Sequence, residues 1–132
     1  KELINSKIKR RESYRPFAPS VLENYSSDYF EENISSPFMN HVVKVKIEYR
    51  NTLRAITHVD GSARIQTVTK ESNPTYHKLI TKVYELTKFP IVLNTSFNEN
   101  EPIVEKPFEA FSTFDRTNMD KVFIGNFEIK RI

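Results

Sequence analysis

Residues 42–49 carry the clearest period-two pattern in the chain: Val43, Val45, Ile47 and Tyr49 alternate with Lys44, Lys46 and Glu48. Successive side chains on a strand point to opposite faces, so this pattern predicts a strand with one wet face. Two β-favouring runs, residues 55–59 and 63–68, flank Asp60-Gly61-Ser62, and Asp-Gly between such runs predicts an antiparallel hairpin. Asn73-Pro74 opens a stretch in which Leu79, Ile80, Val83 and Leu86 recur near every 3.6 residues. That spacing predicts a helix to about Lys88, packed by one face on a sheet. Residues 89–94 are a short apolar run, as in a buried strand, and end in the polar cluster Asn94-Thr95-Ser96-Phe97-Asn98. A second helix starts at Lys106-Pro107, with proline in the first turn and Phe108, Phe111 and Phe114 expected inward. Strands over 122–124 and 127–129 close the chain. Toward its start, Pro16 and Pro19 forbid a helix across residues 15–22, which reads as extended, with a short helix after it around 22–31. Strands with helices between them give an α/β or α+β domain around a twisted, open, largely antiparallel mixed sheet with packed helices.

At 132 residues, 38% hydrophobic and 28% charged, residues 1–132 are expected to form a single domain with one core. Ten Phe and six Tyr supply the bulk of that core. The absence of cysteine excludes disulfide-stapled and thiolate-ligated folds. No apolar run approaches the roughly 20 residues needed to cross a bilayer, and no signal-type start is present. A cytoplasmic protein without a membrane partner is expected. Lys1 in place of Met, followed by a polar segment, fits a piece of a longer chain.

The net charge is +3, but its distribution is uneven. Within the first 20 residues, Lys1, Lys7, Lys9, Arg10, Arg11 and Arg15 face only Glu2 and Glu12, a local charge of +4 against −1 for the rest. Such a segment is an anion site, a nucleic-acid contact or a solvated basic edge. Only Gly61 and Gly125 are present, so neither a Walker loop nor a dinucleotide fingerprint can be written. Any phosphate must be held by side chains and helix ends.

His41, His58 and His77 lie in three different elements without metal-ligand spacing, so no metal site is expected from this chain. Ser62, Thr95 and Ser96 have no sequence-local base, which leaves hydrolase chemistry unsupported. What remains is polar residues at strand ends, where open sheets bind ligands: Lys9, Arg11 and Arg15; Asp60, Ser62 and Arg64; Asn94, Ser96 and Asn98. If their segment is extended, Lys9, Arg11 and Arg15 share a face, and an anion between them explains three neighbouring cations better than fold stability does. Ser96 and Asn98 hold the same period-two relation, and a hydroxyl with an amide suits phosphate or carbonyl oxygens. Together they would make a polyanion pocket. The alternative is that Ser96 and Asn98 cap a helix or satisfy a turn. Asp60-Gly61-Ser62 reads as turn chemistry, and Arg64 is either on a wet face or aimed at a ligand.

Three ordered motifs carry a resemblance. They are Lys9-Arg10-Arg11-Glu12-Ser13-Tyr14-Arg15-Pro16-Phe17-Ala18-Pro19-Ser20, Thr57-His58-Val59-Asp60-Gly61-Ser62-Ala63-Arg64-Ile65-Gln66-Thr67-Val68, and Leu93-Asn94-Thr95-Ser96-Phe97-Asn98 followed by Glu101-Pro102-Ile103-Val104. With Ser36-Pro37-Phe38-Met39 and Met119-Asp120, they make nearly the whole chain resemble the carboxy-terminal domain of O-carbamoyltransferases, the family of nodulation protein U and the antibiotic-tailoring carbamoyltransferases. The chain departs from the family pattern at Glu105-Lys106, where a smaller polar residue is expected before the proline. That domain is similar to YrdC-like proteins, with a twisted open α/β sheet and a Lys-x-Arg and Ser-x-Asn signature, here Lys9, Arg11, Ser96 and Asn98.

The resemblance implies formation of carbamoyl adenylate from carbamoyl phosphate and ATP, with Mg²⁺ in the substrate complex. A separate amino-terminal transferase domain of the same protein, with its own histidine metal site, would then pass the carbamoyl group to an acceptor hydroxyl. On this reading Lys9 and Arg11 meet triphosphate and carbamoyl oxygens, Arg15 and Arg64 the carbamoyl or phosphate group, and Ser96 with Asn98 the α-phosphate and the metal's surroundings. The rival readings are a non-catalytic RNA- or nucleotide-binding module and a threonylcarbamoyl-adenylate synthase-like enzyme. Confinement of the basic excess to 20 residues speaks against nucleic acid, which needs a broad basic surface. The long motifs around His58 and Leu93 favour the carbamoyltransferase branch.

Overall fold

The computed structural model describes residues 4–9, 15–99 and 101–131, with Lys7 as backbone only. Two compact units divide the chain: Pro16–Thr95, and a second drawn from Lys1–Arg15 and Ser96–Ile132. Among the described residues, no helix is long and apolar enough to cross a membrane.

In the unit Pro16–Thr95, β1 (Ala18–Leu22), β2 (His41–Lys44), β3 (Ser62–Val68) and β4 (Ile91–Asn94) form an open sheet in the order β2-β3-β1-β4. Strand β1 runs parallel to β3 and antiparallel to β4, while β2 is antiparallel to β3. Two helices belong to the same unit, α1 (Ser26–Tyr29) and α2 (Pro74–Thr87). The architecture is mixed α/β, as the sequence predicts. One sheet face carries Val21, Val43, Ala63 and Ile65 into a core with Tyr29, Phe30, Val45 and Ile56. The opposite face puts Leu22 and Val68 against Ile80 of α2. Strand register places Ser20, Arg64, Gln66 and Asn94 on that same α2-bearing face.

The strand expected over 42–49 is shorter than its alternation. Strand β2 ends at Lys44, Val45 makes a single bridge to Phe30, and Ile47–Tyr49 is a 3-10 turn. The segment leaving α1 competes for this backbone: Glu31 N–H donates to the Lys44 carbonyl, Lys46 N–H donates to the Tyr29 carbonyl, and the Tyr49 ring lies 4.8 Å from that of Tyr29. Val43 and Val45 therefore reach the core while Ile47 is 74% exposed.

Residues 55–59 form no strand, which corrects the expected hairpin. Both edges of β3 are taken by β1 and β2, so the segment curls on itself, Ile56 N–H and Thr57 Oγ1 both donating to the Leu53 carbonyl. Asp-Gly still makes its turn. Gly61 has φ of +80°, its N–H donates to the His58 carbonyl, and His58 N–H donates to the Ser62 carbonyl. Strand β4, expected to be buried, is half-buried at the sheet edge.

Helix α2 begins where Asn73 Oδ1 accepts the Tyr76 N–H at 3.0 Å and stops at Lys88, whose φ is 65°. Of its expected apolar face, Ile80 is buried, whereas Leu79 and Leu86 are exposed. The contact with the sheet is narrower than the apolar stripe.

Among its described residues, the second unit holds a π-type turn, Asn5–Lys9, helix α3 (Pro107–Arg116), and the antiparallel pair β5 (Lys121–Ile124) and β6 (Phe127–Lys130). The Glu109 carboxylate accepts the N–H groups of Glu105 and Lys106, which closes the start of α3 and holds the carboxyl below the usual range. Ala110, Thr113 and Phe114 are buried on its inner stripe, followed by Thr117. Phe108 and Phe111, expected inward, are exposed because steps of three residues drift around the helix away from Phe114. Arg131 closes the far end, its Nη2 donating to the carbonyls of Phe114, Asp115 and Thr117, with the guanidinium 5.0 Å from the Phe114 ring.

Candidate functional site

The second unit brings Lys9 onto Ser96 and Asn98, 87 and 89 residues further along the chain. Lys9 closes the π turn and is 6% exposed. Its Nζ donates to Asn98 O at 2.7 Å, to Asn98 Oδ1 at 2.8 Å, to Ser96 Oγ at 3.3 Å and to the Ser96 carbonyl. Ser96 Oγ in turn donates to Asn98 Oδ1 at 2.7 Å. The ammonium thus sets the shape of the Ser96–Asn98 loop, and the exposed Ser96 hydroxyl is the cluster's opening to solvent.

The loop is tied onward to α3. Asn98 Nδ2 donates to the Glu101 carbonyl at 2.7 Å, and Glu101 Oε1 accepts from Thr113 Oγ1 and Arg116 Nη2, both at 2.9 Å. Beside this tie lies a groove of about 410 Å³ lined in part by Pro102, Ile103, Val104, Phe108 and Ser112. Glu101, part of the third motif, supports the site although no site role was legible for it in the sequence. Its place three residues past Asn98 is a signal only once the loop is known to turn back.

The expected strand-like alignment of Lys9, Arg11 and Arg15 is corrected at its first member. A turn closed by i→i+5 bonds holds Lys9, so period two does not apply to it. Arg11 lies outside the described residues. Arg15 is exposed in irregular backbone.

Arg64 belongs to the other unit, exposed on β3 opposite Val42. Two residues along the same face, Gln66 Oε1 accepts from Ser20 Oγ and Asn94 Nδ2, each at 2.7 Å, while Gln66 Nε2 donates to the Pro37 carbonyl at 3.1 Å. Ser20 and Gln66 were not foreseen as part of this polar face. Gln66 shares the period-two phase of Arg64, which is the signal that could have found it. Asp60 Oδ1 accepts from both the hydroxyl and the N–H of Ser62, at 2.6 and 3.0 Å. Those bonds, followed by Lys44, hold its carboxyl well below the usual carboxylate range. Asp60 and Ser62 are therefore spent on the turn. Among the described residues, no group of three or more His, Cys, Asp or Glu side chains could hold a metal ion.

A family model described as Carbamoyltransferase C-terminus matches residues 1–131. The chain belongs to that family. It is 48% identical to nodulation protein NolO of Bradyrhizobium diazoefficiens, over 99% of this chain and 25% of that protein. Nodulation protein U of Azorhizobium caulinodans is 38% identical over 74% of this chain and 17% of its own length. A 3'-hydroxymethylcephem-O-carbamoyltransferase of Amycolatopsis lactamdurans is 39% identical over 72% of this chain and 18% of its own. The chain spans a quarter or less of each of these three relatives and corresponds to the C-terminal domain of such carbamoyltransferases.

Proposed function

We propose that this C-terminal domain, residues 1–132 acting as one functional module, activates the carbamoyl group for an O-carbamoyltransferase. Carbamoyl phosphate and water give carbamate and inorganic phosphate. A carbamate oxygen then attacks the α-phosphorus of MgATP, the bond to the β-phosphate oxygen breaks, and carbamoyl adenylate and pyrophosphate form. A separate N-terminal domain of the same protein transfers the carbamoyl group to an acceptor hydroxyl, with AMP leaving. The substrates place the reaction in the cytoplasm, with neither membrane nor nucleic acid as a partner.

The observation that carries this reading is the convergence of Lys9 with Ser96 and Asn98, which lie 87 and 89 residues from it in sequence, on one hydrogen-bonded cluster in a chain of this family. Attack on the α-phosphorus brings anions together and spreads charge over phosphate oxygens, so fixed cations and donors are the main requirement. Lys9 supplies positive charge and fixes the loop, Ser96 offers its hydroxyl to the α-phosphate, and Asn98 keeps that hydroxyl oriented. Arg11, Arg15 and Arg64 bind carbamoyl and phosphate oxygens. Mg²⁺ arrives as part of the nucleotide substrate.

The test is carbamoyl-phosphate-dependent exchange of labelled pyrophosphate into ATP by the full-length protein. Ser96→Ala and Arg64→Ala are each expected to lower the exchange rate by about 10²-fold or more. Wild-type exchange in both folded variants overturns the assignment.

A further inference from the structure

Asn5 opens the π turn that Lys9 closes. The residue is 6% exposed, and among the described residues neither its Nδ2 nor its Oδ1 has a hydrogen-bond partner. Leaving a carboxamide buried and unpaired forfeits its hydration without return, and buried polar groups in folded proteins are nearly always paired. Residues four apart in such a turn stand on one side of it, and burial follows that phase: Asn5 and Lys9 are buried, Ser6 between them exposed. Asn5 therefore shares one side of the turn with Lys9, whose ammonium organises Ser96 and Asn98.

A ligand that satisfies this amide must present an N–H to Oδ1 and an oxygen to Nδ2 at once. A phosphate offers acceptors alone and leaves Oδ1 unpaired. A planar N–C=O group offers both. We propose that Asn5 reads the carbamoyl group: its Nδ2 donates to the carbamoyl oxygen and its Oδ1 accepts from the carbamoyl NH₂. This rests on the carbamoyl-activation reading above and makes Asn5 the residue that separates carbamoyl phosphate from acyl phosphates lacking the amino group. A site that binds a substrate N–H rejects an analogue without it strongly, because its own acceptor is then left unpaired. An adenine edge offers the same donor-and-acceptor pair, so the measurement must separate the two substrates.

The experiment is the same exchange assay on full-length wild-type protein, Asn5→Leu and Asn5→Asp, with carbamoyl phosphate, acetyl phosphate and ATP varied separately. Both variants are expected to raise KM for carbamoyl phosphate by about 10- to 100-fold, with KM for ATP unchanged. In Asn5→Leu the preference for carbamoyl over acetyl phosphate falls by a similar factor, while the melting temperature holds or rises because a buried unpaired amide has been replaced by an apolar group of like shape. Asn5→Asp keeps the volume and removes the donor, so it carries the test if the leucine variant fails to fold. Unchanged KM for carbamoyl phosphate in Asn5→Asp, a rise in KM for ATP alone, or a joint fall of activity and melting temperature overturns the assignment. A wild-type protein that shows no carbamoyl-phosphate-dependent exchange overturns the activation reading, and this one with it.

Discussion

A Cβ at residue 61 would lie 2.6 Å from Arg50 Cζ, and the backbone there has φ of +80°. Arg50 is engaged, its Nε donating to the Val45 carbonyl at 2.9 Å, so it yields only by giving up that bond. Gly61→Ala is expected to destabilise the protein by about 1 kcal/mol or more, read as a lower denaturation midpoint with unchanged slope. Next to it, Asp60 is charged at neutral pH and bonded to Ser62. Its folded pKa is held well below the usual carboxylate range, so its stabilisation is full above the unfolded carboxylate value of about 3.9 and is lost progressively as pH falls from there through the folded value. Asp60→Asn is therefore expected to melt lower than wild type at pH 7, with the gap starting to narrow only below about pH 4. Equal melting at pH 7 would refute this role. At this scale the sequence was readable where chemistry is local: Asp60-Gly61-Ser62 makes a turn because its residue types suit no other role so well. It was silent on Asn5, since nothing in the order of residues tells which asparagine folding will bury.

Element by element, short-range signals served better than long-range ones. Asn73-Pro74 starts α2 as written, because capping needs only Asn73 Oδ1 and an N–H three residues on. Asn73→Ala is expected to cost about 1 kcal/mol. At the other end, Lys88 holds φ of 65° without being glycine, and Lys88→Gly is expected to raise stability by about 0.5–1 kcal/mol in chemical denaturation. The 42–49 alternation and the proposed 55–59 partner failed for a different reason. Each segment has a reasonable strand pattern, but pairing is a competition, and β1 and the segment leaving α1 took the available edges. The three phenylalanines of α3 illustrate the same point for helices: spacing defines a candidate face, and the packed neighbour decides how much of it is used.

Across the whole molecule, the mixed α/β class was legible in the order of helical and strand-like stretches, while the parallel pairing of β1 with β3 was not, since pattern carries no strand direction. The candidate site was legible as residue types. Its geometry was not, because a π turn, and not extended backbone, holds Lys9. On the proposed function, calorimetric titration of the full-length protein with MgATP is expected to give saturable one-to-one binding, weaker in Ser96→Ala; absence of binding to folded wild-type protein counts against it. Because the basic excess is local, raising salt from 50 to 200 mM is expected to weaken this binding far less than the 10³-fold or greater loss typical of proteins that grip several nucleic-acid phosphates.

Strand β1 sits inside the sheet between β3 and β4, and that position governs the order of events when the chain is made. Ser20 leaves the ribosome 46 residues before its partner Gln66, and Val92 follows later still. Until then β1 exposes two unpaired edges. Sheets closed by such distant pairings fold on the slow side, toward milliseconds to seconds, because loop closure must precede the contacts that reward it. The interval between synthesis of residue 22 and residue 94 is when a neighbouring chain can capture β1 by edge pairing.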